Sequence, residues 1–184
     1  VNFFGAGVIK KVGDRAKMLN LKKPLIVTDK GIESLENGPV DQTLASFKGA
    51  GVDYVVYDGV EPNPKVHNIQ EAKKLYLAEG CDSIITVGGG SAHDCGKGTG
   101  IILTNGDDIT KLAGIETLEN PLPPLMAVNT TAGTASELTR HCVITNTETK
   151  LKFVVVSWRN VPLVSFNDPM LELDVPTGKT AATG

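Results

Sequence analysis

The chain has 184 residues, 41% hydrophobic and 21% charged, with 18 Lys and Arg against 21 Asp and Glu for a formal net charge of −3. That length fits one domain with a sizeable core, and the composition excludes an intrinsically disordered chain. A mildly acidic balance without a basic run, and no apolar stretch near the ~18 residues of a membrane span, exclude nucleic acid and membrane as expected partners.

Short apolar runs alternate with longer helical patterns, the signature of parallel βα units. Val1 is not an initiator residue, so the native start is expected upstream, and no signal-peptide pattern follows it. Val8, Val12, Ala16 and Leu19 have helical spacing, and Leu25-Ile26-Val27-Thr28 then reads as a strand ending at Asp29. Pro39 sits at a helix start, with Val40, Leu44 and Phe47 recurring until Gly49 and Gly51. Tyr54-Val55-Val56-Tyr57 is the next strand. The spacing predicts a helix from Pro64 to about Glu79, with Asn63 as its N-cap and Gly80 closing it.

Ser83-Ile84-Ile85-Thr86-Val87 is a third strand that runs into Gly88-Gly89-Gly90-Ser91, with a helix to about Leu103 beyond. Leu125-Met126-Ala127-Val128 is a further buried strand, and Thr134 with Glu137 fits a capping box, so a short helix is expected there. Cys142-Val143-Ile144-Thr145, the run Lys152 to Val156, and Leu163 to Phe166 are strand candidates without long helices between them. The expected fold is one α/β domain over 1–184, Rossmann-like with a mainly parallel sheet and a β-rich C-terminal part.

Three cysteines are too few and too scattered for a disulfide framework or a CxxC metal site, which points to a reducing cytoplasm. Cys81 and Cys142 read as buried thiols, whereas Cys95, close behind the glycine run, is the one placed near chemistry. Gly88 to Ser91 lies where a strand turns into a helix: bare backbone admits a ligand closely, and the free N–H groups of the helix favour an anion such as a pyrophosphate. The same residues also fit a plain βα turn with Ser91 as N-cap and Asp94 as its box partner. Thr130-Thr131-Ala132-Gly133-Thr134 is a second small-residue turn, able to hold phosphate or ribose oxygens or to be a polar capping loop. Asp29 is able to accept from a ribose 2′-hydroxyl and to repel a 2′-phosphate, or to be a solvated turn residue. Strand ends of open α/β sheets are where ligands bind, and the three features share that edge.

Asn2-Phe3-Phe4-Gly5-Ala6-Gly7, Val27-Thr28-Asp29-Lys30-Gly31, Glu61-Pro62-Asn63-Pro64, Gly88 to Asp94 and Thr130 to Thr134 occur in this order in the iron-containing (group III) alcohol dehydrogenases, which the whole chain resembles. The resemblance implies an N-terminal NAD-binding α/β domain followed by an all-helical domain that is absent from this chain. It implies that Gly88, Gly89, Gly90, Ser91 and Asp94 bind the NAD pyrophosphate. Thr130, Thr131 and Thr134 would line the adenine and ribose side, Asp29 would select NAD over NADP, and Asn63 and Lys152 would touch the cofactor. His141 departs from members that carry Asn there.

The family's metal, Fe²⁺, is held by one Asp and three His, of which the Asp and the first His belong to a Gly-x-Asp-Ala-x-x-His stretch that follows Ala-Ala-Thr-Gly. This chain reaches Ala181-Ala182-Thr183-Gly184, so the ligands are expected beyond residue 184; His67, His93 and His141 have no metal spacing and read as packing or solvent-facing residues. The implied reaction is hydride transfer between NAD and a short alcohol or diol, and no catalytic residue is assigned to this chain. The Asn2-Phe3-Phe4 segment resembles one that crosses between subunits in the family, so at least a homodimer is expected. Two alternatives stay open: a Zn²⁺ enzyme like glycerol dehydrogenase or 3-dehydroquinate synthase, which share the architecture, and a truncated module that binds a dinucleotide and catalyses nothing.

Overall fold

The computed structural model describes residues 1–173, 175 and 178; the closing Ala181-Ala182-Thr183-Gly184 stretch lies outside them. Six strands, β1 (Asn2–Phe4), β2 (Pro24–Val27), β3 (Val55–Tyr57), β4 (Ser83–Gly88), β6 (Leu125–Asn129) and β9 (Val164–Asn167), form the main sheet. Its order is β1-β9-β6-β4-β2-β3 and every pairing is parallel. The central strands β2, β4 and β6 are buried at every position, which is why they read as unbroken apolar runs and not as alternation.

Helices cover both faces. The helix α1 (Val12–Met18) and α3 (Pro39–Ala50) pack Val12, Ala16, Val40 and Phe47 against Ile26, Ile85, Met126 and Phe166 on one face. On the other, α4 (Val66–Glu79) and α5 (Gly90–Thr104) pack Ile69, Ala72, Ile101 and Ile102 against Leu25 and Ile84. Each buried Val, Leu, Ile, Met or Phe among them contributes roughly 1.5–3 kcal/mol. The chain steps outward from β2 to β3 through α3 and returns to β4 through α4, and right-handed crossovers force those helices onto opposite faces. The direction of winding thus reverses between β2 and β4, and a crevice opens between their C-terminal ends.

The helix α5 has an unusual sequence for its length. Glycine inside a helix costs about 1 kcal/mol relative to alanine, yet Gly96 and Gly98 are interior. A Cβ on Gly96 would lie 2.2 Å from Thr86 Cγ2 on β4, and one on Gly98 would lie 2.6 Å from Ile69 Cδ1 on α4. These glycines let α5 sit against sheet and neighbouring helix at once, and it is buried continuously over Cys95–Ile102.

A second sheet of β5 (Gly114–Ile115), β8 (Leu151–Val156) and β7 (His141–Asn146) flanks α5, with β7 and β8 antiparallel and Val143 opposite Val154. Cys142, Ile144 and Val155 point into the core, and His141, Val143 and Thr145 lie on the opposite face toward the crevice. The β-rich end is therefore shared: two of its three strands build this sheet, and β9 returns to the main one. The N-terminal β1 pairs with the chain's own β9, Asn2 opposite Ser165.

Local expectations differ at three points. The 8–19 segment divides into a 3-10 turn, Val8–Lys11, and α1. The second is α4, which starts at Val66 with Lys65 as N-cap, because Asn63 is held in the left-handed region at φ 54°. No helix forms at Thr134. Ala135 has φ 52°, and Thr134 Oγ1 accepts from Ser136 N at 3.3 Å, a local turn that competes with helical hydrogen bonding. Two short elements had no sequence signal, β5 and the one-turn helix α2 (Lys30–Glu33).

Candidate functional site

A cleft of about 1230 Å³ occupies the crevice between the ends of β2 and β4 and extends to the small sheet. It is lined by every residue singled out for the cofactor except Gly88. Gly88 ends β4 with φ 149°, and its carbonyl accepts from Thr130 N at 3.1 Å, joining the two small-residue turns through backbone. Gly89 is the N-cap of α5, with no side chain capping the helix. Ser91 and Asp94 are therefore not a capping pair: Ser91 Oγ accepts from Asn63 N at 3.3 Å, and Asp94 reaches across to the small sheet.

The glycine turn and the threonine turn are in close contact. A Cβ on Gly89 would lie 2.7 Å from Thr131 Oγ1, and one on Gly90 would lie 2.7 Å from Thr134 Oγ1. Asn129 holds the second turn, donating from Nδ2 to Thr131 O at 2.8 Å. The Thr130 hydroxyl is buried with no hydrogen-bond partner among the described residues. Asp29, also lining the cleft, caps α2 by accepting from Ile32 N through Oδ1 at 3.0 Å. One carboxylate oxygen is thus spent on the chain, and the carboxylate is fixed in orientation at the end of β2.

Asn63 bridges the cleft's other rim. Its Oδ1 accepts from Lys152 Nζ at 2.8 Å and its carbonyl accepts from Thr145 Oγ1 at 3.4 Å. Asp94 accepts from Ser136 Oγ at 2.7 Å and from Val143 N at 3.2 Å. Burial raises its pKa, against the Ser136 hydrogen bond and the nearby Lys97 charge.

Sequence reasoning missed Lys97. It is fully buried and its Nζ donates to Ser136 O (2.6 Å), Ser136 Oγ (3.0 Å), Thr139 O (2.9 Å) and His141 O (2.8 Å). The available signal was a lone cation inside a helix of small and apolar residues, three positions after Asp94. Cys95 is a correction in the other direction: it is fully buried in the core beneath α5, where desolvation pushes its thiol up to about 12, so it has no part in the cleft. His93 packs in the core, with Nδ1 2.7 Å from Thr86 Oγ1; His67 is 3.6 Å from Glu61; His141 lines the cleft. Among the described residues no group of three or more His, Cys, Asp or Glu is placed to hold a metal ion.

The doubly wound parallel sheet, with a bare turn and an uncapped helix at its switch point, defines a Rossmann-like α/β domain. The chain belongs to the iron-containing alcohol dehydrogenase family, which matches residues 2–169. It is 61% identical over its whole length to 1,3-propanediol dehydrogenase of Citrobacter freundii, of which it covers 48%. An alcohol dehydrogenase from Oenococcus oeni is 78% identical, with a TM-score of 0.96 over the whole chain and 48% of that protein. Sulfoacetaldehyde reductase from Bifidobacterium kashiwanohense, solved in complex with NAD+, is 30% identical, with a TM-score of 0.87 over the whole chain and 48% of that protein. The chain spans about half the length of the relatives it resembles.

Proposed function

We propose that this chain is the cofactor-binding half of an NAD-dependent, iron-dependent alcohol dehydrogenase whose substrate is a short diol, 1,3-propanediol. The observation that carries the reading is the arrangement at the switch point: an uncapped helix N-terminus behind Gly89 and Gly90, with Asp29 on one side and the Thr131 and Thr134 hydroxyls on the other. Backbone N–H groups there suit a pyrophosphate. Asp29 suits a ribose diol and repels a 2′-phosphate. The adenosine half would then lie toward Asp29 and the threonine turn, and the nicotinamide half toward Asp94, Asn63 and Lys152 on the small-sheet side. When bound, NAD supplies the hydride acceptor, and this chain's residues bind and orient it. The described residues do not fit the iron of the family description. Under this reading its ligands belong to the protein beyond residue 184, and the 184-residue chain alone is inactive. At least a homodimer and a cytoplasmic setting belong to the same reading.

The test is an assay of the full-length polypeptide with NAD and 1,3-propanediol, alongside metal analysis. NADH formation that depends on stoichiometric iron is expected. A full-length protein that oxidises no short alcohol with either nicotinamide cofactor would contradict the dehydrogenase reading.

A further inference from the structure

We propose that Lys97 is a positioning residue for the small-sheet wall of the cleft: its buried ammonium ties the 136–141 loop to α5 and thereby sets the nicotinamide half of the site. The proposal rests on the dinucleotide reading above and adds the device that shapes one half of it. Lys97 is fully buried, so it touches no ligand itself. Its four oxygen partners are three backbone carbonyls and one hydroxyl, at 2.6–3.0 Å. Carbonyls only accept, so this cage suits an ammonium with three protons and not a neutral amine. Burial lowers the pKa of Lys97, and the Asp94 carboxylate acts in the opposite sense.

The three residues Lys97 holds, Ser136, Thr139 and His141, all line the cleft. The loop is also held at Arg140, whose carbonyl accepts from Ser157 N at 3.1 Å and from Asn160 Nδ2 at 3.0 Å. It contains no helix, turns through Ala135 at φ 52°, and leads directly into β7. Asp94, one turn earlier on α5, adds a second tie by accepting from Ser136 Oγ and Val143 N. Ser136 Oγ thus lies between the two charges, at 3.0 Å from Lys97 Nζ and 2.7 Å from Asp94 Oδ1. The pair at three-residue spacing on α5 fixes the wall from beneath. The Asp29 end of the cleft and the threonine turn at Thr131 are held by other groups, Ile32 N and Asn129. Loss of Lys97 should therefore damage one half of the site and spare the other.

The experiment measures NADH and ADP affinity on the full-length polypeptide. Removing a charge-bearing donor from buried acceptors should cost Lys97→Met about tenfold in NADH affinity, with ADP affinity essentially unchanged. Lys97→Arg should not rescue, because a planar guanidinium does not fit a cage built for a compact ammonium. Methionine leaves four oxygens unpaired and can unfold the chain, so Ser136→Ala is the second variant. It keeps Lys97 and its backbone partners, and should weaken NADH several-fold while sparing ADP. Unchanged NADH affinity in Ser136→Ala, or equal losses of NADH and ADP in a folded Lys97→Met, would overturn the positioning role. If the unmutated protein binds neither ADP nor NADH, the dinucleotide reading falls first and takes this proposal with it.

Discussion

His93 ties the polar interior of α5 to the stability of the fold. Thr86 Oγ1 lies 2.7 Å from His93 Nδ1 and 3.4 Å from Met126 O, and Nε2 of the buried ring has no hydrogen-bond partner among the described residues. Desolvation, aided by the Lys97 charge, lowers its pKa from 6.5 to about 3. The folded chain therefore refuses a proton that the unfolded chain takes up below pH 6.5. His93 leaves stability undiminished above pH 6.5 and subtracts from it as pH falls toward 3, at up to about 1.4 kcal/mol per pH unit. The buried carboxyls of Asp94 and Glu137 have raised pKa values and act with the opposite sign, starting from the ordinary carboxylate range upward. The interval from pH 6.5 to 5.5 is where the histidine slope is cleanest. Denaturant unfolding across that interval should show stability falling with pH, and His93→Gln should flatten the slope. An equally steep slope in the variant would assign the linkage to other groups. Neither this role nor that of Lys97 was legible in the sequence, because both depend on which face of α5 turns inward. A helix buried all round has no apolar stripe to reveal it.

At the scale of elements, the parallel βα alternation was legible because each central strand is an unbroken apolar run and α3 and α4 each carry a glycine stop, Gly51 at φ 69° and Gly80 at φ 65°. The 134–140 segment was not legible. Its Thr-x-x-Glu pattern signals a helix start, but the carbonyls of Ser136 and Thr139 are drawn to Lys97, a partner about 40 residues away in sequence. The contact between the two small-residue turns changes what a glycine substitution tests. Gly90 is helical, so a side chain there is not strained by φ, and its Cβ meets Thr134 Oγ1 and Cγ2 at 2.7 and 3.1 Å. Gly90→Val should displace the threonine turn and abolish NADH binding by that route. Adding Thr134→Ala, which removes both atoms, should recover part of the affinity. No recovery in the double variant would mean that the valine fills ligand volume directly.

On the scale of the whole molecule, the winding reversal between β2 and β4 gathers residues far apart in sequence, Asp29, Gly89, Thr131 and Lys152, around one cleft. The order of five motifs along the chain was enough to indicate the family, and the family match over residues 2–169 agrees. In the wall supplied by the small sheet, β7 and β8 were legible as apolar runs, whereas the parallel pairing of β5 with β8 carries no local signal. On the proposed reading this cleft holds NAD, and the Asp29 carboxylate, fixed by Ile32 N, discriminates against a 2′-phosphate. Like charges about 4 Å apart repel by ~1 kcal/mol in bulk water and by more near a protein surface. The most direct test is a parallel titration of the full-length polypeptide and its Asp29→Gly variant with NADH and NADPH. The unmutated protein should prefer NADH by roughly tenfold or more, and Asp29→Gly should narrow that preference by gaining NADPH affinity. Equal affinity for the two cofactors in the unmutated protein, or no binding of either, would contradict that reading.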